Sequence, residues 1–175
     1  MNKQIILDNL RCIPDFPKKG INFRDVTTLY KNPECMKAMT DDLYELYKDK
    51  GITKIVGIES RGFVMAAALA VRLGAGVVLA RKPGKLPATV IKESFSKEYG
   101  VDTVEMHIDA INENDVVLIH DDLLATGGTA MATYKLVQHF HPKKTYINFI
   151  IEITDEGLHG RDIFKGIDLT TLVTI

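Results

Sequence analysis

The sequence is 175 residues long, with 46% hydrophobic and 26% charged residues, which suits one domain with a substantial core. Its 22 basic and 23 acidic side chains leave a formal net charge of −1. That balance excludes a general electrostatic attraction to nucleic acid or anionic membrane, so any anion must be caught by a local arrangement of groups.

The N-terminal MNKQIILDNLRC holds too short an apolar run for a signal peptide or a membrane span, so a cytoplasmic setting is expected. Cys12 and Cys35 are the two cysteines, in neither metal-type nor redox-type spacing, and are read as reduced thiols. Residues 2–10 predict a short helix stopped near Pro14. Residues 14–27 (PDFPKKGINFRDVT) contain two prolines and a glycine and read as an ordered loop. Asn32-Pro33 then opens a helix, Asn as cap and Pro in the first turn, with Met36, Met39, Leu43 and Leu46 at helical spacing up to Gly51.

An alternation follows. Apolar runs at 54–58, 76–80, 115–119, 145–153 and 169–175 read as strands. Helices are expected at 62–73, closed by Gly74, and at about 128–140, with Ala130, Tyr134 and Val137 on one face. β-branched runs separated by helices predict an α/β fold, a parallel sheet covered on both faces, in a single domain over 1–175. Residues 82–107 break the pattern and read as a β-hairpin flap projecting from the sheet.

The most informative stretch is VVLIHDDLLATGGTA, residues 116–130. A buried strand is read as ending in Asp121 and Asp122, and Thr126-Gly127-Gly128-Thr129 then opens a helix. Ligands bind at the carboxyl ends of strands in such sheets. Glycines let backbone approach an anion, free amides at a helix start point toward it, and two threonine hydroxyls add neutral donors, which suits a phosphate monoester. The carboxylates accept only, so they suit sugar hydroxyls beside the phosphate, and together the groups read as a ribose-5-phosphate site. No Gly-Lys-Ser/Thr follows, which excludes the usual Walker loop, and the dinucleotide fingerprint is absent.

This loop resembles the phosphoribosyl-pyrophosphate motif of the type I phosphoribosyltransferases, and DDLLATGGT is similar to its form in the adenine phosphoribosyltransferases. DFPKKGINFRDVT, GIESRGF, RKPGKLP and KEYG match the same family in order and spacing, over residues 10 to 160 or so. The resemblance implies the type I phosphoribosyltransferase fold with a hairpin hood and a base-recognition segment at 10–30. It implies that Ala125 joins Thr126, Gly127, Gly128 and Thr129 in holding the phosphate. Glu59, Ser60 and Arg61, with a cis bond between Glu59 and Ser60, would serve the pyrophosphate together with Arg81, Lys82 and Lys85. In similar enzymes that basic segment lies near a homodimer interface, so one cation serves the neighbouring subunit. Glu98 becomes the acid–base group for the purine ring and Tyr99 a cover over the site. Asn22, Phe23 and Arg24 become the base strip, read through backbone groups at Asn22 and Arg24, with Phe23 and Leu123 on the two faces of the base. His120 departs from the family, which usually has a small aliphatic residue there. It is read as a hydrogen-bonded, partly buried histidine, and His139 and His141 as surface residues.

The activity implied is adenine plus 5-phosphoribosyl pyrophosphate giving AMP and pyrophosphate, a purine salvage step. Mg²⁺ is expected as cofactor, held through substrate oxygens with no direct protein ligand. Asp121 and Asp122 would steady positive charge on the ribose as the bond to pyrophosphate lengthens, while Arg61 and the lysines steady the departing anion. At about 1.5–3 kcal/mol for each hydrogen bond to a charged group, two aspartates supply about 3–6 kcal/mol. Two rivals remain: a sister transferase for hypoxanthine, guanine, xanthine or orotate, and a non-catalytic sensor of the ribose donor acting on RNA or transcription. The Phe23-Arg24 strip and KEYG oppose the first. The charge balance and the length oppose the second.

Overall fold

The fold was analysed in a computed structural model that describes residues 3–97, 100–155 and 157–175. In chain order the elements are α1 (Lys3–Asn9), β1 (Arg11–Ile13), β2 (Phe23–Asp25), α2 (Thr27–Tyr30), α3 (Pro33–Tyr47), β3 (Lys54–Ile58), α4 (Gly62–Leu73), β4 (Gly76–Ala80), β5 (Val90–Lys97), β6 (Gly100–His107), β7 (Val116–Leu124), α5 (Gly128–Gln138), β8 (Lys144–Glu152), a 3₁₀ segment (Gly160–Phe164) and β9 (Leu169–Thr174).

Five strands form one parallel sheet in the order β4-β3-β7-β8-β9. The chain leaves β3 toward β4 on one side, then returns to place β7 on the other side of β3. The order therefore reverses between β3 and β7, and the loops that follow these two strands part around a crevice. Side-chain alternation divides the core between the two faces. Ile55 and Leu118 join the cluster under α1, α3 and α4, whereas Val56, Val117 and Ile119 join the one beneath α5 and the β5–β6 hairpin. α3 starts as its sequence predicts: the Asn32 side chain accepts from the Glu34 and Cys35 amides, with Pro33 in the first turn. α4 ends on Gly74 in the left-handed region. Cys12 is exposed and Cys35 buried, and both are free thiols. No helix among the described residues is long and apolar enough to cross a membrane.

Several expectations need correction. The first helix ends at Asn9, and β1 runs between it and Pro14. The segment read as loop carries β2, which pairs antiparallel with β1, and then α2. Three-residue strands held by side-chain bonds leave too short an apolar pattern to recognise. α3 stops at Tyr47, capped by Lys48, before Gly51 is reached. β7 extends beyond Ile119 and past the acidic pair to Leu124, so Leu123, read as part of a loop, also lies within the strand. Pairing with β8 at Asp121↔Phe149 and Leu123↔Ile151 carries the ladder through the acidic pair. The 82–107 insertion is a hairpin, but it packs on α5 and buries Val104 and Met106 in the core, so it lies against the body.

Candidate active site

The crevice between β3 and β7 gathers most of the residues singled out by the sequence. On the β7 side the chain turns at Gly127, with φ of +78°, into α5. No side chain caps this helix start, so its first amides are left for an anion. Asp121, Leu123, Ala125, Thr126, Gly127, Gly128 and Thr129 line a cleft of about 160 Å³ there. Gly127 is sterically required, and Gly128 is tightly packed. A Cβ on Gly127 would sit 2.8 Å from Phe164 and 2.9 Å from Ile163, and one on Gly128 3.1 Å from Phe95 of the hairpin.

The acidic pair divides its work. Asp122 is almost fully buried and accepts a hydrogen bond from Arg61 Nε. Asp121 Oδ1 accepts from the Asp122 amide at 2.9 Å, and Asp121 borders the cleft. Burial, reinforced by the neighbouring Asp122 charge, pushes the Asp121 carboxyl well above its ordinary range. Gly62 is what lets α4 come this close to β7, since a Cβ there would lie 2.7 Å from the His120 carbonyl oxygen and 3.0 Å from Asp121 Oδ1. Tyr30 supports Arg61 by donating its hydroxyl to the Arg61 carbonyl at 3.1 Å, and its own ionisation is suppressed by burial and by the two aspartates.

On the β3 side the Glu59–Ser60 peptide bond is cis, as the family resemblance implies. The Glu59 carboxylate is not free for a ligand. It receives Arg81 Nε at 3.2 Å, another Arg81 nitrogen at 3.1 Å and the Lys82 amide at 2.9 Å. Those bonds, the Arg81 bond first, hold its pKa below the ordinary value. Arg81 also donates to the Lys85 carbonyl at 3.1 Å, which fixes the basic turn, and Lys82 and Lys85 are exposed. A second cleft, of about 220 Å³, runs from Glu59, Arg81 and Lys82 to Thr129 and the hairpin residues Phe95, Asp102 and Thr103. Glu98 and Tyr99, assigned to chemistry and to covering the site, lie outside the described residues.

The residues expected to read the base lie on or beside the β1–β2 ribbon, Phe23 and Arg24 in β2 and Asn22 just before it. Phe23 is half-buried and meets Phe16 edge to face, with centroids 5.3 Å apart at 74°. The Arg61 guanidinium lies 5.9 Å from the Phe23 ring centroid, so one arginine links this strip to Asp122. Arg24 donates to Asp155 at 2.7 Å, and Asn22 is exposed. Hydrogen bonds from Arg11 and Thr27 outweigh burial and hold the Asp25 carboxyl at about 2, which locks the turn into α2.

Two features escaped the sequence reading. The first is a buttress behind the cradle. Arg161 grips Glu152 with two nitrogens, at 2.7 and 2.5 Å, and so pins the 3₁₀ segment to the end of β8. Gly160 then packs on the Ala125 carbonyl while Ile163 and Phe164 close on Gly127. The glycine in HGRD was the available signal. The second is the environment of His120, which is fully buried and not partly so. Its Nδ1 is 2.9 Å from Asn148 Oδ1, and Asn148 Nδ2 donates to the Thr170 hydroxyl at 2.9 Å, which makes Nδ1 of His120 the donor. Burial lowers its pKa from 6.5 to about 4, so the ring is neutral at physiological pH. His139 is exposed, as the sequence suggests, and so is His141.

Known proteins match this arrangement over the whole chain. The profile of the phosphoribosyl transferase domain matches residues 25–157. An adenine phosphoribosyltransferase of Phocaeicola vulgatus is 64% identical over 100% of both chains, and one of Bacteroides thetaiotaomicron is 56% identical over 100% of this chain and 99% of its own. Among solved structures, the adenine phosphoribosyltransferase of Rhodothermus marinus superposes with a TM-score of 0.92 at 44% identity, covering 99% of this chain and 98% of that one. The enzyme of Giardia lamblia, in complex with 9-deazaadenine, gives 0.92 at 39% identity, covering 100% and 98%. This chain therefore belongs to the phosphoribosyltransferase family, in its adenine phosphoribosyltransferase branch.

Proposed function

We propose that the crevice transfers the 5-phosphoribosyl group of phosphoribosyl pyrophosphate to adenine, releasing AMP and pyrophosphate, with the whole chain acting as one domain. The observation that carries this reading is the uncapped, glycine-turned start of α5 directly beside the Asp121 carboxylate. In this reading Ala125–Thr129 holds the 5-phosphate through backbone amides and the threonine hydroxyls. Asp121 takes the ribose hydroxyls, and its charge steadies the carbon that becomes electron-poor as pyrophosphate departs. Asp122 is held by Arg61 and keeps that arginine between the ribose and the base strip. The departing anion meets Ser60 amides, Lys82, Lys85 and the guanidinium of Arg81, which Glu59 orients. Adenine lies between Phe23 and Leu123, and Glu98 exchanges a proton with the purine ring while Tyr99 covers the site.

Mg²⁺ suits this site because the ribose donor itself supplies hard phosphate and ribose oxygens, through which the ion would be held without a direct protein ligand. Bound there, it would neutralise pyrophosphate charge. A homodimer is supported by apolar surface on α4 and the edge strand β4, where Val64, Val71, Val77 and Leu79 are exposed. A cytoplasmic location accords with the two free thiols.

The test is pyrophosphate release with Mg²⁺, the ribose donor and each base in turn. Adenine should support release at a rate that hypoxanthine, guanine, xanthine and orotate do not approach. Comparable release with any of those would overturn the base assignment.

A further inference from the structure

Among the described residues the β1–β2 ribbon pairs only with itself, and neither strand joins the five-stranded sheet. Its position over the crevice must therefore be set by side chains. Within the N-terminal region, Arg11, Thr27 and Thr28 bond to Asp25, which shapes the ribbon but does not attach it to the sheet. A hydrogen-bonded link from the strip to the sheet side of the crevice runs from Arg24 to Asp155, 131 residues apart, at 2.7 Å. Asp155 stands just past the end of β8, and Thr154 next to it is tied to the C-terminal Ile175 carbonyl by its amide at 2.7 Å and its hydroxyl at 3.0 Å. The anchor point is thus itself fixed. Arg24 Nε and Asp155 Oδ1 are both buried and make no hydrogen bond among the described residues. Removing Asp155 would leave the Arg24 charge, whose side chain is only 19% exposed, without its partner, whereas Asp155 at 40% exposure would still reach water.

We infer that Asp155 is a positioning residue for base recognition: through Arg24 it sets the distance of the Phe23–Arg24 strip from the ribose held on β7 and α5. Asp155 need touch neither substrate. Its removal should weaken capture of the base and leave capture of the ribose donor as it was, because the cradle belongs to the sheet and the strip does not. This rests on the transfer to adenine proposed above.

The experiment compares wild type with Asp155→Asn, Asp155→Glu and Arg24→Gln in steady-state AMP formation, with hydrogen exchange at residues 11–25 measured on the same samples. The expected result is a rise of about tenfold or more in KM for adenine in Asp155→Asn, the factor for one lost charge-assisted hydrogen bond. KM for the ribose donor and kcat at saturating adenine should stay within about twofold. Asp155→Glu should recover most of the loss, and Asp155→Asn combined with Arg24→Gln should be no worse than the poorer single variant. Exchange should quicken at residues 23–25 and not in β7 or β8. An adenine KM within about twofold of wild type, or equal rises in both KM values, would overturn the inference. A wild-type protein inactive with adenine would instead sink the assignment of activity, and the exchange data would still decide whether Asp155 tethers the ribbon.

Discussion

Asp121 and His120 are adjacent in β7 and face opposite electrostatic problems. Asp121 has a pKa raised by burial and by Asp122, so the fold gains from its protonation. That gain is whole below the ordinary value of 3.8 and is lost as pH rises through the elevated folded value. At neutral pH ionising Asp121 is therefore a cost to the stability of the fold. Asp121→Asn should raise Tm at neutral pH, and the difference should vanish below about 3.8; a lower Tm at neutral pH would contradict this account of the pair. His120 has a lowered pKa, so its contribution is present above 6.5 and is lost as pH falls through about 4. Fully expressed, the loss is on the order of 3 kcal/mol. Denaturant titrations between those limits should show a flatter decline with acid for His120→Leu than for wild type. An unchanged slope would place the acid lability elsewhere.

At the scale of elements, the cradle depends on close approaches that admit no side chain. Gly127→Ala would force a left-handed φ of +78° on alanine and push its Cβ into Phe164 and Ile163. The backbone cost alone is about 1–2 kcal/mol, and the turn should move off the phosphate. The expected outcome is a higher KM for the ribose donor together with a lower Tm; unchanged donor binding would remove Gly127 from the cradle. The main sheet was legible in the sequence because its strands are buried on both faces and read as uninterrupted apolar runs, with α4 bounded by Gly62 and Gly74 as expected. The turn into α5 was legible because paired glycines after a strand mark a tight turn, and Gly127 takes the left-handed φ there. The β1–β2 ribbon was not, since ion pairs and not apolar alternation hold it. Nor was the Glu152–Arg161 fork, whose partners show no periodicity that links a strand to the segment after it. The end of β7 was placed too early because polarity at Asp121 and Asp122 reads as surface, whereas Arg61 and the α4 start enclose them.

For the whole molecule, the sheet order places the glycine turn before α5, the acidic pair and the basic turn at one switch point, while Phe23 and Arg24 are brought in from outside the sheet. The exposed apolar residues of β4 lie at the opposite edge from β9, and those of α4 on the helix that packs across β3, β4 and β7. If that edge pairs two copies, Val71→Asp combined with Leu79→Asp should shift sedimentation from dimer to monomer; a variant that sediments as wild type does would place the interface elsewhere. The central claim is that the Asp121 charge steadies the ribosyl carbon during transfer. It is tested most directly by turnover of Asp121→Asn with adenine and the ribose donor both saturating. The account predicts a fall of roughly ten- to 150-fold, the equivalent of one hydrogen bond to a charged group, in a protein that remains folded. Turnover equal to that of wild type would contradict it.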